Sequence, residues 1–79
     1  MSNLDRYNNV FCEVMQVGED QLAELKFKES EYWDSVGHMT LMAALEDEFD
    51  IMLETEDMMS ITSYLEGKDI LSKNYNIQF

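Results

Sequence analysis

Asp34-Ser35-Val36-Gly37-His38-Met39-Thr40-Leu41-Met42-Ala43-Ala44-Leu45-Glu46-Asp47-Glu48-Phe49 is the stretch whose reading decides the fold. An Asp-Ser pair ahead of an apolar, helically spaced run predicts a helix from Ser35 to Phe49. Val36, Met39, Met42, Leu45 and Phe49 fall on one predicted stripe, widened by Leu41. Taken alone, such a pair reads as a helix cap. A helix N-terminus also favours a bound anion, because unpaired N–H groups and the helix dipole converge there. The two roles are compatible: the Asp34 carboxylate can cap while the Ser35 hydroxyl stays free.

The rest of the chain supplies helices around this one. Ser2 is a cap with Asp5 at the positive end, and Leu4, Tyr7, Phe11 and Val14 repeat at helical spacing, broadened by Val10 and Met15. A first helix from Asn3 to Val17 follows, with Gly18 as its stop. Gly18 to Asp34 reads as a long connection with a helical turn at Asp20 to Leu25, pinned by Leu22, Leu25, Phe27, Tyr32 and Trp33. Ile51 to Leu53 forms an apolar link, and Thr55 caps a brief helix over Glu56 to Ser60. Ser63 and Glu66 fit a capping box for a last helix from Tyr64 to Lys73, with Tyr64, Ile70 and Leu71 inward. Gly67 inside that helix costs about 1 kcal/mol relative to alanine. Residues 74–79 read as a frayed tail.

A chain of 79 residues with 46% hydrophobic content makes one domain, 1–79, with enough apolar material for a core. It contains no proline, only three glycines, and no apolar run long enough to span a membrane. The N-terminus lacks signal-peptide character, and a lone Cys12 fits a reducing, cytoplasmic setting. Seventeen acidic residues against five basic ones give a net charge of −12, and no Lys or Arg lies between Glu29 and Gly67. Such a surface repels nucleic acid and anionic lipid, and attracts proteins with basic patches. Glu46, Asp47, Glu48 and Asp50 crowd the end of the second helix against its dipole, which points to an external partner.

Other chemistry finds little support. Ser35 and His38 lie one turn apart, but a catalytic pair also needs an orienting acid, an oxyanion hole and a pocket. The acidic stretch Glu46 to Asp57 lacks the ligand alternation and central glycine of an EF-hand loop. Seven methionines, five of them from Met39 to Met59, read as adaptable core packing. No metal site and no catalytic residue is expected, and Cys12 reads as a small buried hydrophobe.

Together these features resemble the acyl carrier proteins, in which the serine of an Asp-Ser-Leu motif carries a 4'-phosphopantetheine arm. Val36 stands here for the usual leucine. The resemblance covers about Trp33 to Leu71 well and the first helix more loosely. It implies an all-α, four-helix bundle of acyl-carrier type, with three main helices, a short third helix and a long first loop.

The resemblance further implies a non-catalytic carrier, with Ser35 bearing an arm donated by coenzyme A and holding acyl groups as thioesters. Asp34, Val36, Met39, Ala43, Glu46, Asp47 and Glu48 match partner-recognition positions, and Ile61 matches a position lining the cargo cleft. His38 is placed beside the arm. The implied partners are a phosphopantetheinyl transferase and acyl-loading and acyl-transferring enzymes of fatty-acid, lipid or secondary-metabolite biosynthesis, with the carrier a monomer. Gly37 and Thr40 depart from positions where the family often has acids. A peptidyl carrier and an unmodified acidic interaction module are the alternatives.

Overall fold

Ser2 starts the first helix with a complete capping box. Its hydroxyl accepts from Asp5 N at 3.1 Å, and the Asp5 carboxylate accepts from Ser2 N at 3.3 Å. The computed structural model describes residues 1–79 and is all-α. In chain order it contains α1 (Asn3–Met15), a 3-10 helix (Glu19–Glu24), α2 (Ser35–Phe49), α3 (Thr55–Ser60) and α4 (Tyr64–Tyr75). No helix is long and apolar enough to cross a membrane.

α1 stops two residues earlier than expected. Gln16 takes the left-handed conformation at φ 56°, and both its N–H and that of Val17 return to the Cys12 carbonyl. Gly18 is extended instead and opens the 3-10 helix, where its N–H donates to Gln21 Oε1 at 3.2 Å. The glycine starts an element rather than ending one.

An aromatic group from three parts of the chain centres the core. Phe11 of α1 meets Tyr7, Tyr64 and Trp33 at ring separations of 4.8, 5.4 and 5.6 Å. Leu41, Met42 and Leu45 of α2 complete the core with Leu22, Leu25, Leu53, Ile61 and Leu71. Tyr7 donates its buried hydroxyl to the Tyr64 carbonyl at 2.6 Å, tying α1 to the start of α4. Gly67 makes that contact possible, because a β-carbon there would overlap the Tyr7 oxygen.

The connection before α2 is held by its backbone as well as its side chains. Phe27 N donates to the Thr62 carbonyl at 2.9 Å, and Lys28 N donates to the Trp33 carbonyl at 2.7 Å. Lys26 N donates to Ser30 Oγ, closing a turn in which Lys28 is left-handed at φ 67°. Leu22, Leu25 and Trp33 are buried as expected, whereas Tyr32 is exposed. Tyr32 contributes its main chain, whose carbonyl lies against Gly37.

Three other expectations change. Glu54, not Thr55, occupies the cap position of α3 and gives no side-chain cap. Instead, Asp57 holds α3 to the end of α4, accepting from Tyr75 Oη at 2.7 Å and Asn74 Nδ2 at 2.9 Å. Ser63 caps α4, but Glu66 takes a bond from Thr62 Oγ1 instead of closing the box. The chain after Lys73 is docked, not frayed. α4 continues to Tyr75, Asn76 turns left-handed, and Ile77 is buried. Phe79 then packs between Tyr7 and Phe49, at 5.1 and 6.3 Å, while Asn3 Nδ2 donates to the Gln78 carbonyl.

Candidate functional site

Asp34 caps α2, accepting from Gly37 N at 2.8 Å, while its own carbonyl accepts from His38 N. Ser35 is therefore the first helical residue rather than the cap, and it is exposed. Its side chain stands at the positive end of a helix of 15 residues. The division of labour places the structural role on the aspartate.

Gly37 has a steric reason to be glycine. A β-carbon there would collide with the main-chain carbonyl of Tyr32, so the loop before α2 lies directly on the helix's first turn. No side chain, acidic or otherwise, fits at this position without moving the loop. The absence of a side chain at residue 37 is thus built into the backbone path.

His38 is not a partner for Ser35. Trp33 Nε1–H donates to His38 Nδ1 at 3.0 Å, and His38 Nε2 pairs with the Met58 carbonyl at 2.8 Å. Both ring nitrogens are engaged, the ring is half-buried, and Phe27 packs on it at 4.9 Å. The histidine is a structural tie between the loop, α2 and α3.

The inward stripe of α2 is His38, Leu41, Met42, Leu45 and Phe49. Val36 and Met39, which spacing assigns to the apolar stripe and the resemblance to partner-recognition positions, are 76% and 59% exposed. Ala43 and Asp47 follow on the same outward face, at helical spacing from Val36. Met52 and Met59 are exposed too, so the methionine-rich region only partly serves the core, through Met42 and half-buried Met58.

Two of the acids ending α2 have internal work that sequence reasoning missed. Glu46 accepts from Leu53 N at 2.8 Å and holds the turn after the helix. Glu48 pairs with Arg6 of α1 at 2.8 Å, and the same guanidinium bonds the Glu48 carbonyl and stacks over Phe49. Arg6 lies 42 positions away in sequence, so no local pattern announces the pair. The expectation that local stability leaves these acids unexplained is corrected for Glu46 and Glu48. Asp47 enters no ion pair.

A shallow pocket of 260 Å³ opens beside the residues flanking Ser35. Val14, Glu31, Tyr32, Asp34, Val36, Gly37 and Thr40 line it. Ile61 is elsewhere, fully buried against Gly67 of α4. Cys12 is half-buried, and burial, seconded by the Glu19 carboxylate, raises its thiol above the ordinary range. No three metal-ligating side chains converge anywhere in the chain. No protein-family model matches the sequence, and neither a curated protein nor a solved structure matches it.

Proposed function

We propose that this chain is an acyl carrier, holding acyl intermediates as thioesters on a 4'-phosphopantetheine arm attached to Ser35. The observation that carries the reading is the pairing of Asp34 and Ser35. The aspartate caps α2, which leaves an exposed serine hydroxyl on the helix's first residue. A phosphodiester at that oxygen places its charge at the favourable end of the helix dipole. The donor set fits the group, since a free primary hydroxyl is the one chemical requirement for the ester.

When bound, the arm supplies a thiol that forms the thioester. A separate transferase makes the Ser35 Oγ–phosphorus bond, breaking the pyrophosphate of coenzyme A and releasing its nucleotide half. The chain provides the hydroxyl, the helix end and a surface for docking. It raises the effective concentration of the cargo at each partner enzyme and supplies no catalytic base. The engagement of both His38 nitrogens away from Ser35 supports that division. The four α-helices, short third helix and long pinned loop are consistent with a bundle of acyl-carrier type.

Gly37 bears on the pathway. Because the Tyr32 carbonyl occupies the space of a side chain, the chain lacks the acid that carriers commonly present there. This favours a specialised lipid or secondary-metabolite system with its own enzymes.

The test is incubation with coenzyme A and a broad-specificity phosphopantetheinyl transferase. Intact mass rises by one phosphopantetheine in the wild type and stays unchanged in Ser35→Ala. Failure of several such transferases to modify the wild type overturns the reading in favour of an unmodified interaction module.

A further inference from the structure

We infer that the pocket between α1, the loop before α2 and the first turns of α2 holds the uncharged inner segment of the arm borne by Ser35. This assignment rests on the carrier reading and goes beyond it in seating the arm on the α1 side of the fold.

The pocket is the one cavity of the structure, and the chain on both sides of Ser35 forms part of its wall. Asp34 and Val36 line it, so a group attached at residue 35 starts at its rim. Val14 of α1 and Tyr32 of the loop add apolar surface from other elements, and Gly37 brings no side chain into the space. The α3 side of α2 is closed. There His38 Nε2 is bonded to the Met58 carbonyl at 2.8 Å, and Ile61, at the position the resemblance assigns to a cargo cleft, is fully buried.

The lining selects which part of the arm enters. Glu31 and Asp34 place two carboxylates at the pocket, which repel the phosphodiester and leave it outside, at the helix end. Next to the phosphate the arm is uncharged: a carbon bearing two methyl groups, then a hydroxyl and an amide. The side chains of Val14, Val36 and Tyr32 match the methyl pair. Asp34 is already bonded to Gly37 N, whereas Glu31 is exposed, enters no ion pair, and can accept from the arm's O–H or N–H. Size sets the limit. At 260 Å³ the pocket is smaller than the roughly 300–1,000 Å³ sites that enclose a drug-sized ligand, so it takes one segment of the arm and no long acyl chain. The thiol end and its cargo stay outside, accessible to partner enzymes. Attachment at the rim supplies the effective concentration that keeps a shallow pocket filled.

The test labels the chain with carbon-13 and modifies it with unlabelled coenzyme A and the transferase. Isotope-filtered nuclear Overhauser spectra then record contacts between the arm and the protein. The expected contacts run from the arm's paired methyl groups to the methyls of Val14 and Val36 and to the Tyr32 ring. Val14 is the decisive one, because it lies on another helix and attachment at Ser35 does not by itself bring it near the arm. A chain of the modified mass whose arm touches Ile61 or Met58 instead, or shows no contact with Val14, overturns the pocket and leaves the carrier reading intact. A chain that is never modified overturns both. The measurement needs no substitution, so no folding defect can obscure it.

Discussion

The Trp33 indole N–H donates to His38 Nδ1 at 3.0 Å, with the two rings within 17° of parallel. That bond sets the imidazole tautomer: the proton sits on Nε2 and is donated to the Met58 carbonyl. One side chain thereby joins the loop before Ser35, α2 and α3. Removing it with ring volume kept, as in His38→Phe, leaves the buried Trp33 N–H without its partner. The expected loss of stability is about 1–3 kcal/mol, measured by urea unfolding with Trp33 fluorescence as the probe. An unchanged midpoint would show that the tie contributes nothing.

Gly67 and Tyr7 are coupled through a shared space. Gly67→Ala improves intrinsic helix propensity by about 1 kcal/mol, yet its β-carbon overlaps the Tyr7 hydroxyl. The overlap wins, and the expected net destabilisation is about 1–3 kcal/mol. In a Tyr7→Phe background the oxygen is gone, and the nearest atoms are then Ile61 Cγ2 at 3.3 Å and the ring Cζ at 3.4 Å. A double-mutant cycle by thermal melting should therefore show alanine at 67 harming Tyr7→Phe much less than the wild type. Additive effects would refute the coupling.

Gly37→Ala sets a β-carbon against main chain, not against a flexible side-chain end. The loop from Tyr32 to Asp34 must move, and the Trp33–His38 bond moves with it. A loss of about 1–3 kcal/mol is expected, with a shifted Trp33 emission maximum in the folded state. An acid introduced as Gly37→Glu should show the same shift, because the obstruction begins at the β-carbon.

Alkali should destabilise the fold through its tyrosines. Burial is the largest cause raising the Tyr7, Tyr64 and Tyr75 phenols above the ordinary value of 10.0. Raised folded values mean that the native chain binds more protons than the unfolded one once the pH exceeds about 10. Stability from these groups is thus fully present below that point and is lost as pH rises through the folded values. Melting temperatures should fall from about pH 10 upward, less steeply in Tyr7→Phe. In a Tyr32→Phe background, which removes the exposed fourth tyrosine, phenolate absorbance that develops at the ordinary value in the folded protein would contradict this.

The helix bearing Ser35 was legible in the sequence to its ends, because a capping aspartate and an apolar run define it locally. Its rotation was not. Residues 35–45 carry apolar side chains on both faces and no charge, so periodicity offers no polar face to orient by. His38 adds to the ambiguity: it holds the first inward position, satisfied by Trp33 and Met58, while Val36 and Met39 face out. The acids ending α2 were visible, but two of their partners were not, since Arg6 and Leu53 N reach them only through the fold. The same holds for the tail, where Ile77 and Phe79 find their places against helices formed far earlier in the chain.

Spacing and capping chemistry by themselves determined that this chain is helical, where α2 begins and ends, and that Asp34 and Ser35 stand at its N-terminus. These are local properties, set by backbone hydrogen bonds within a few residues. Tertiary structure alone decided which face of α2 is exposed, which acids stay free, and why residue 37 has no side chain. Those depend on contacts between distant segments, above all the Tyr32 carbonyl against Gly37 and Arg6 against Glu48. Excluded volume and desolvation act between surfaces that no local window contains.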